Sequence, residues 1–282
     1  MKQKRLVIWL MMMSVFSMAA VGCGVNPTTG ETALGMYSME EEIEIGGQLR
    51  DEVLKQLAPY PDPVLMEYVA EIGHRVAIGA EYKVPYTFHF VDKNEFNAFA
   101  MAGGQIFVYK GLLAAVESEE QLAMILAHEV AHVSCLHCVG LIEKQTTDAL
   151  IFATLDALAE EPLSENVLVQ LLKVSIDAQY SQAHEHEADK YGTVFLARAG
   201  YDPAASIRTF ELMNKLGGGK EDMTGLTYLF GSHPPTPDRV AAAKERIASG
   251  EIKSAARLRT DNSRFLQMKA RLIAIEKQRA GK

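Results

Sequence analysis

His128-Glu129-Val130-Ala131-His132 places two imidazoles and a carboxylate on one broad face of a helix. Four residues are about 400° of helical rotation, so the histidines stand about 40° apart in projection and about 6 Å apart along the axis. One metal ion can bridge them. Glu129 lies about 60° round from His132, within reach of a water on that metal but poorly placed to be its third protein ligand. This is the layout of a zinc hydrolase. Ser118-Glu119-Glu120-Gln121 reads as a capping box, in which the serine hydroxyl takes the Gln121 amide and the glutamine side chain reaches back to the cap. Leu122, Ile125, Leu126 and Val130 then form an apolar stripe at helical spacing, which puts the pentad on a buried helix.

Upstream, Ser38 with Glu41 makes a capping box for a helix running to about Leu57. Asp62 and Pro63 start a second helix ending near Gly79. Tyr86 to Val91 alternates as a strand, and Phe96 to Met101 and Gln105 to Tyr109 flank Ala102-Gly103-Gly104, which gives a small sheet. Helix returns at Gly111 to Val116. Downstream, residues 146–160 and 165–199 are helical by period, with a break at Glu161-Pro162, and Gly200-Tyr201-Asp202-Pro203 stops the second. Further helices cover 203–216, Asp238 to Ser249, and Asn262 to Lys277, with a Gly217-Gly218-Gly219 joint and a proline-rich loop from Ser232 to Pro237.

At the start of the chain, Lys2, Lys4 and Arg5 precede an apolar run from Leu6 to Val21 that is short for a membrane span and reads as a secretory signal. Ala20-Val21-Gly22-Cys23 resembles the lipobox of bacterial lipoproteins, which implies a signal over 1–22, lipidation at Cys23 and a lipidated tether over 23–37, with alanine where such boxes carry leucine. Gly24 resembles outer-membrane sorting. Residues 1–22 carry three basic and no acidic side chains, so residues 23–282 have a formal charge of −11 against −8 for the whole chain. That balance argues against nucleic acid as a partner. The remaining 260 residues suffice for one well-buried domain. Cys135 and Cys138 have the spacing of a zinc or redox C-x-x-C, but they fall on the continuation of the metal helix with no second pair to complete a structural site, and read as small buried residues, with a regulatory disulfide or a second metal as the alternative.

A catalytic zinc takes three protein ligands and keeps one position open. A third histidine six residues after His132 is excluded, because that position is Cys138. His137 is one residue short and, on a continuous helix, points about 140° away from His132. Downstream, His184-Glu185-His186-Glu187-Ala188-Asp189 offers Glu185 and Asp189 four apart on one helical face.

This pair, together with the first pentad, resembles the Glu-zincin peptidase family M48, which includes CAAX prenyl endopeptidases, HtpX-type proteases and the BepA- and LoiP-like periplasmic lipoproteins. Asn26-Pro27-Thr28-Thr29-Gly30, Asn97-Ala98-Phe99-Ala100, Gly103-Gly104, Gly111-Leu112-Leu113, His132-Val133 with His137, Ala199-Gly200-Tyr201-Asp202-Pro203, and Ser232-His233-Pro234-Pro235 ahead of Arg239 look like the family's recurring blocks. The resemblance implies an α+β, mainly helical zincin-type (gluzincin) domain over 38–282, with a small sheet beside the active-site helix and a C-terminal helical extension. It implies one zinc per chain, Glu185 rather than Glu187 as third ligand, and Asp189 fixing the tautomer of His128. It also makes His233 a candidate fourth ligand that holds the enzyme latent.

Glu129 is then the general base, and Tyr180, His184, His186 and Tyr191 are candidates to stabilise the oxyanion. The strand containing Asn97, Ala98, Phe99 and Ala100 is expected to present an edge to which an extended, unfolded polypeptide adds as a further strand. The function implied is a membrane-tethered zinc endopeptidase of envelope protein quality control, on the periplasmic face of the outer membrane. A chaperone or assembly factor with a closed metal site is the alternative, and a metal-storage protein a third. With the sequence ending at Lys282, the helical-repeat domain of longer relatives and the several membrane spans of the prenyl proteases are not expected.

Overall fold

The structure, a computed structural model, describes residues 22–35, 37–144, 180–217, 233 and 237–281. The expected signal up to residue 21, the expected helices over 146–160 and 165–179, and Gly218, Gly219, Ser232, Pro234 and Pro235 lie outside them.

Local chemistry accounts for the helix starts. Helix α1 (Met39–Gln56) begins at Ser38, whose hydroxyl accepts from the Glu41 amide while the Glu41 carboxylate accepts from the Ser38 amide at 2.8 Å. Helix α2 (Pro63–Ala77) begins at Asp62, which accepts from the Leu65 amide at 2.9 Å, with Pro63 in the first turn.

Within the segment expected as a tether, 23–37, the chain is folded rather than extended. Strands β1 (Gly22–Val25) and β2 (Thr32–Gly35) form an antiparallel hairpin. Asn26 Oδ1 accepts from the Thr28 and Thr29 amides at 2.8 and 3.2 Å and closes the turn. The hairpin docks on the domain through Thr28 Oγ1, 2.6 Å from Ser134 Oγ.

The sheet is small, as the sequence implies. Strand β3 (Thr87–Val91) runs parallel to β5 (Gln105–Tyr109), and β4 (Ala98–Met101) runs antiparallel to β5 on its other side. A single 3-10 turn at Ala102–Gly104 joins β4 to β5, with Gly103 and Gly104 at φ +69° and +78°, a conformation that glycine takes without strain. The Gly103 amide donates to the buried Glu42 on α1 at 2.9 Å, which ties α1 to that turn.

Helix α3 (Lys110–Ala115) leads into α4 (Glu119–Ser134), the metal helix. Ser118 caps it, but the expected reciprocal bond is shifted: Gln121 Oε1 accepts from the Glu117 amide at 2.7 Å, not from Ser118. Every residue of α4 from Gln121 to Ser134 is buried, so it runs through the core rather than lying on it with one apolar stripe. Helix α2 packs against both α4 and β3, and β4 lies along α4.

Two further expectations are corrected. The metal helix does not continue through the cysteines: it ends at Ser134, turns through Cys135 and Leu136, the latter at φ +64°, and restarts as α5 (His137–Lys144) bent by 48°. Nor is 165–199 one helix. Tyr180 and Ser181 are non-helical, and α6 (Gln182–Arg198) starts afresh because Ser181 Oγ accepts from the His184 amide at 3.1 Å.

Helices α7 (Ala205–Gly217), α8 (Pro237–Ala248) and α9 (Ser263–Ala280) complete the described elements. Helix α9 returns to the first half of the chain, burying Phe265 and Leu272 and pairing Arg271 with Asp62 at 2.7 Å. Among the described residues no single helix is long and apolar enough to cross a membrane.

Candidate metal centre

Helix α6 crosses α4 at the pentad. The close approach needs Gly192, where a Cβ would stand 3.0 Å from both the Cα and the amide nitrogen of His128. That contact brings the first two turns of α6 over the imidazoles.

Four donor atoms converge there. His128 Nε2 and His132 Nε2 are 3.1 Å apart, and Glu185 lies 3.5 Å from the first and 3.3 Å from the second. His233 Nδ1 completes the group, 3.3 Å from His128 Nε2 and 2.7 Å from Glu185 Oε1. Four ligands held about 2.0–2.1 Å from one ion stand about 3.3 Å apart, so three imidazoles and a carboxylate at these spacings fit tetrahedral zinc. All four residues are buried. Burying them without a cation leaves imidazole lone pairs facing one another, which is costly.

The surroundings fix the orientation of the ligands. Asp189 Oδ1 is 3.0 Å from His128 Nδ1, on the side of the ring away from the cluster. Burial opposes the charge on His128, but Asp189 and Glu185 outweigh it and push the imidazole up to about 9. Arg239, on α8, donates to both oxygens of Asp189 at 2.7 and 2.6 Å, approaches Glu185 Oε2 at 3.1 Å, and donates to the His233 carbonyl at 3.3 Å. Despite its burial, Asp189 is held below the usual carboxylate range by Arg239 and His128. Burial pulls His132 well below the ordinary histidine range, which keeps its lone pair available.

His137 lies against His132 after all. The break at Cys135-Leu136 swings its ring inward, so that its Nδ1 is 3.1 Å from His132 Nδ1 and its Nε2 is 2.8 Å from Glu187 Oε2. It remains outside the four-atom cluster, and Glu187 is engaged with it rather than with the metal position.

Glu129 is 1% exposed, and neither carboxylate oxygen has a hydrogen-bond partner of normal geometry among the described residues. Burial raises its carboxyl above the ordinary range. His233 faces it, with Nε2 3.7 Å from Glu129 Oε1. A buried, unpaired carboxylate beside a set of metal-ligating donors suits the transfer of a proton.

Of the four oxyanion candidates, Tyr180 alone stacks on the cluster, with its ring 3.9 Å from that of His132 and 5.6 Å from that of His233. Its hydroxyl is 3.3 Å from Cys138 Sγ. His184 stacks on His137, His186 accepts at its carbonyl from Arg246, and Tyr191 packs on Phe195. Sequence reasoning missed the role of Arg239. Its only signal was its position shortly after His233, because its partner Asp189 is 50 residues away.

A helix bearing both histidines, crossed by a second bearing the glutamate and backed by a small mixed sheet, defines a metallopeptidase domain of the gluzincin kind. The model of peptidase family M48 matches residues 63–247, and the chain belongs to that family. A Vibrio cholerae protein provisionally named a beta-barrel assembly-enhancing protease is 30% identical over 229 residues, covering 78% of this chain and 47% of that protein. The Escherichia coli K12 beta-barrel assembly-enhancing protease is 28% identical over the same length, covering 78% and 46%. The metalloprotease YcaL of E. coli K12 is 31% identical over 172 residues, covering 59% and 64%. The chain thus spans under half the length of the first two.

Proposed function

We propose that the protein is a zinc-dependent endopeptidase of the bacterial cell envelope, tethered by lipid at Cys23, that cleaves unfolded or misassembled polypeptides. The observation that carries the reading is the convergence of His128, His132 and Glu185 within 3.5 Å of one another, beside the unpaired carboxylate of Glu129. The relatives named for beta-barrel assembly favour an envelope setting.

His128, His132 and Glu185 would hold the zinc, and Asp189, clamped by Arg239, would fix the tautomer and angle of His128. Bound there, zinc supplies Lewis acidity and brings the acidity of water close to neutral pH. Glu129 would serve as the base that accepts a proton from the attacking water and returns it to the departing amine, a role that its raised pKa suits. Among the described residues β4 pairs on one side only and lies along α4. An extended substrate added along this edge runs past the base.

His233 favours a second reading, because it occupies the fourth position and faces Glu129. The enzyme is then latent until His233 leaves that position.

Both readings meet in one experiment, zinc-dependent degradation of an unfolded protein by the purified chain. Glu129→Gln is expected to keep its zinc and to lose at least about 10³-fold in kcat. His233→Ala is expected to raise the rate. Equal cleavage by wild type and Glu129→Gln would overturn the enzyme reading, and zinc lost with His233→Ala would make that histidine a structural ligand.

A further inference from the structure

Cys135, His137 and Glu187 form a second group whose ligand atoms all lie within 4.8 Å of one another. They come from the turn after α4, the first residue of α5, and α6. Sulfur, imidazole and carboxylate are the donor set of zinc and of other thiophilic divalent cations. Cys135 and His137 are buried and fixed, whereas the Glu187 side chain is 29% exposed. Among the described residues all three line a cavity of about 720 Å³ shared with His184, into which the Glu187 side chain can swing to meet an ion. His184 stacks on His137 with ring centroids 4.3 Å apart, and its buried Nδ1 has no hydrogen-bond partner among the described residues.

The proton positions link this group to the main centre. When His132 offers its Nε2 lone pair to the four-atom cluster, its proton sits on Nδ1 and is donated across 3.1 Å to His137 Nδ1. The proton of His137 is then on Nε2 and is donated to Glu187 at 2.8 Å. A cation taking His137 Nε2 moves that proton to Nδ1, where it faces the N–H of His132. The two sites oppose one another through a single nitrogen pair.

We propose that Cys135, His137 and Glu187 are an inhibitory site for a thiophilic divalent cation, zinc in excess included, whose occupation loosens the main metal centre through His132. The proposal rests on His132 being a ligand of that centre. Binding displaces the Cys135 thiol proton, which leaves to solvent. Burial raises that thiol and weakens the site, which suits a response to excess rather than a resident metal.

The test is titration of the zinc-loaded full chain with cadmium, following thiolate-to-cadmium absorption and the rate at which zinc passes to a chelator. The expected result is an absorption that saturates, disappears in Cys135→Ala and survives in Cys138→Ala. Cys23 is common to all three proteins and cancels. Zinc loss is expected to quicken by roughly tenfold or more, the scale on which losing an outer partner weakens a metal site. No Cys135-dependent absorption, or absorption with zinc loss unchanged, overturns the proposal. A chain that holds no zinc before cadmium is added overturns the proposed enzyme instead, and its Cys135-dependent absorption still decides whether the second site exists.

Discussion

Arg239 joins the parts of the centre that no single element contains. One guanidinium on α8 meets both oxygens of Asp189, one oxygen of Glu185 and the carbonyl of His233. A planar fork makes these contacts together, and an ammonium does not. Arg239→Gln is therefore expected to weaken zinc about 10- to 100-fold by chelator competition, and to cost roughly 3–5 kcal/mol in denaturant melts because Asp189 is left buried without its cation. Arg239→Lys should recover little of the affinity. His128, Glu129 and His132 were legible as chemistry because five consecutive residues on a helix fix their own mutual geometry. Arg239 was legible only as a neighbour of His233, because nothing local determines what a residue on α8 will touch on α6.

Elements positioned by their own ends matched the sequence best. Ser38, Asp62 and Ser118 each cap a helix where the spacing of polar and apolar residues predicts a start. Two boundaries did not follow from periodicity. Ser181 breaks the expected helix over 165–199 by taking the His184 amide, and Leu136 at φ +64° ends the metal helix and turns His137 back on His132. The crossing of α4 and α6 depends on Gly192. Gly192→Ala puts a methyl 3.0 Å from the His128 backbone, so the helices must separate by a few tenths of an ångström. The expected cost is about 1–3 kcal/mol in stability, with a measurable loss of zinc affinity by calorimetry because Glu185 and Asp189 retreat together. An unchanged zinc affinity would mean that the ligands are placed by something other than this crossing.

At the scale of the molecule, α9 is fastened by charge. Asp62 pairs with Arg271, Asp92 with Arg279 and Lys110, and Glu276 with Lys110 and Arg279. Arg271 holds Asp62 below its ordinary value, Arg279 does the same for Asp92, and Glu276 is lowered by Lys110 despite its burial. Carboxyls lowered in the folded state contribute stability that is present above their unfolded values, near about 4, and is lost as pH falls through the folded ones. Hydrogen exchange over 263–280 is therefore expected to accelerate as the pH falls below about 4, before exchange in α4 does. The arginines are 42–44% exposed, which screens the pairs and makes the effect weaker at high salt. Simultaneous acceleration in α4 and α9 would show that the helix is held mainly by Phe265 and Leu272.

The sequence by itself determined the chemistry: a pentad whose helical geometry is set within one turn and a half, its cap, a small sheet, and a mainly helical frame. These depend on spacing and local hydrogen bonds, which are properties of neighbouring residues. Tertiary structure alone decided that the N-terminal segment folds back as a hairpin onto Ser134, that Arg239 holds Asp189, and that His137 and Glu187 sit behind His132. Each of these joins residues brought together by helix crossings and chain reversals, where the choice of partner is made by packing and burial rather than by position along the chain.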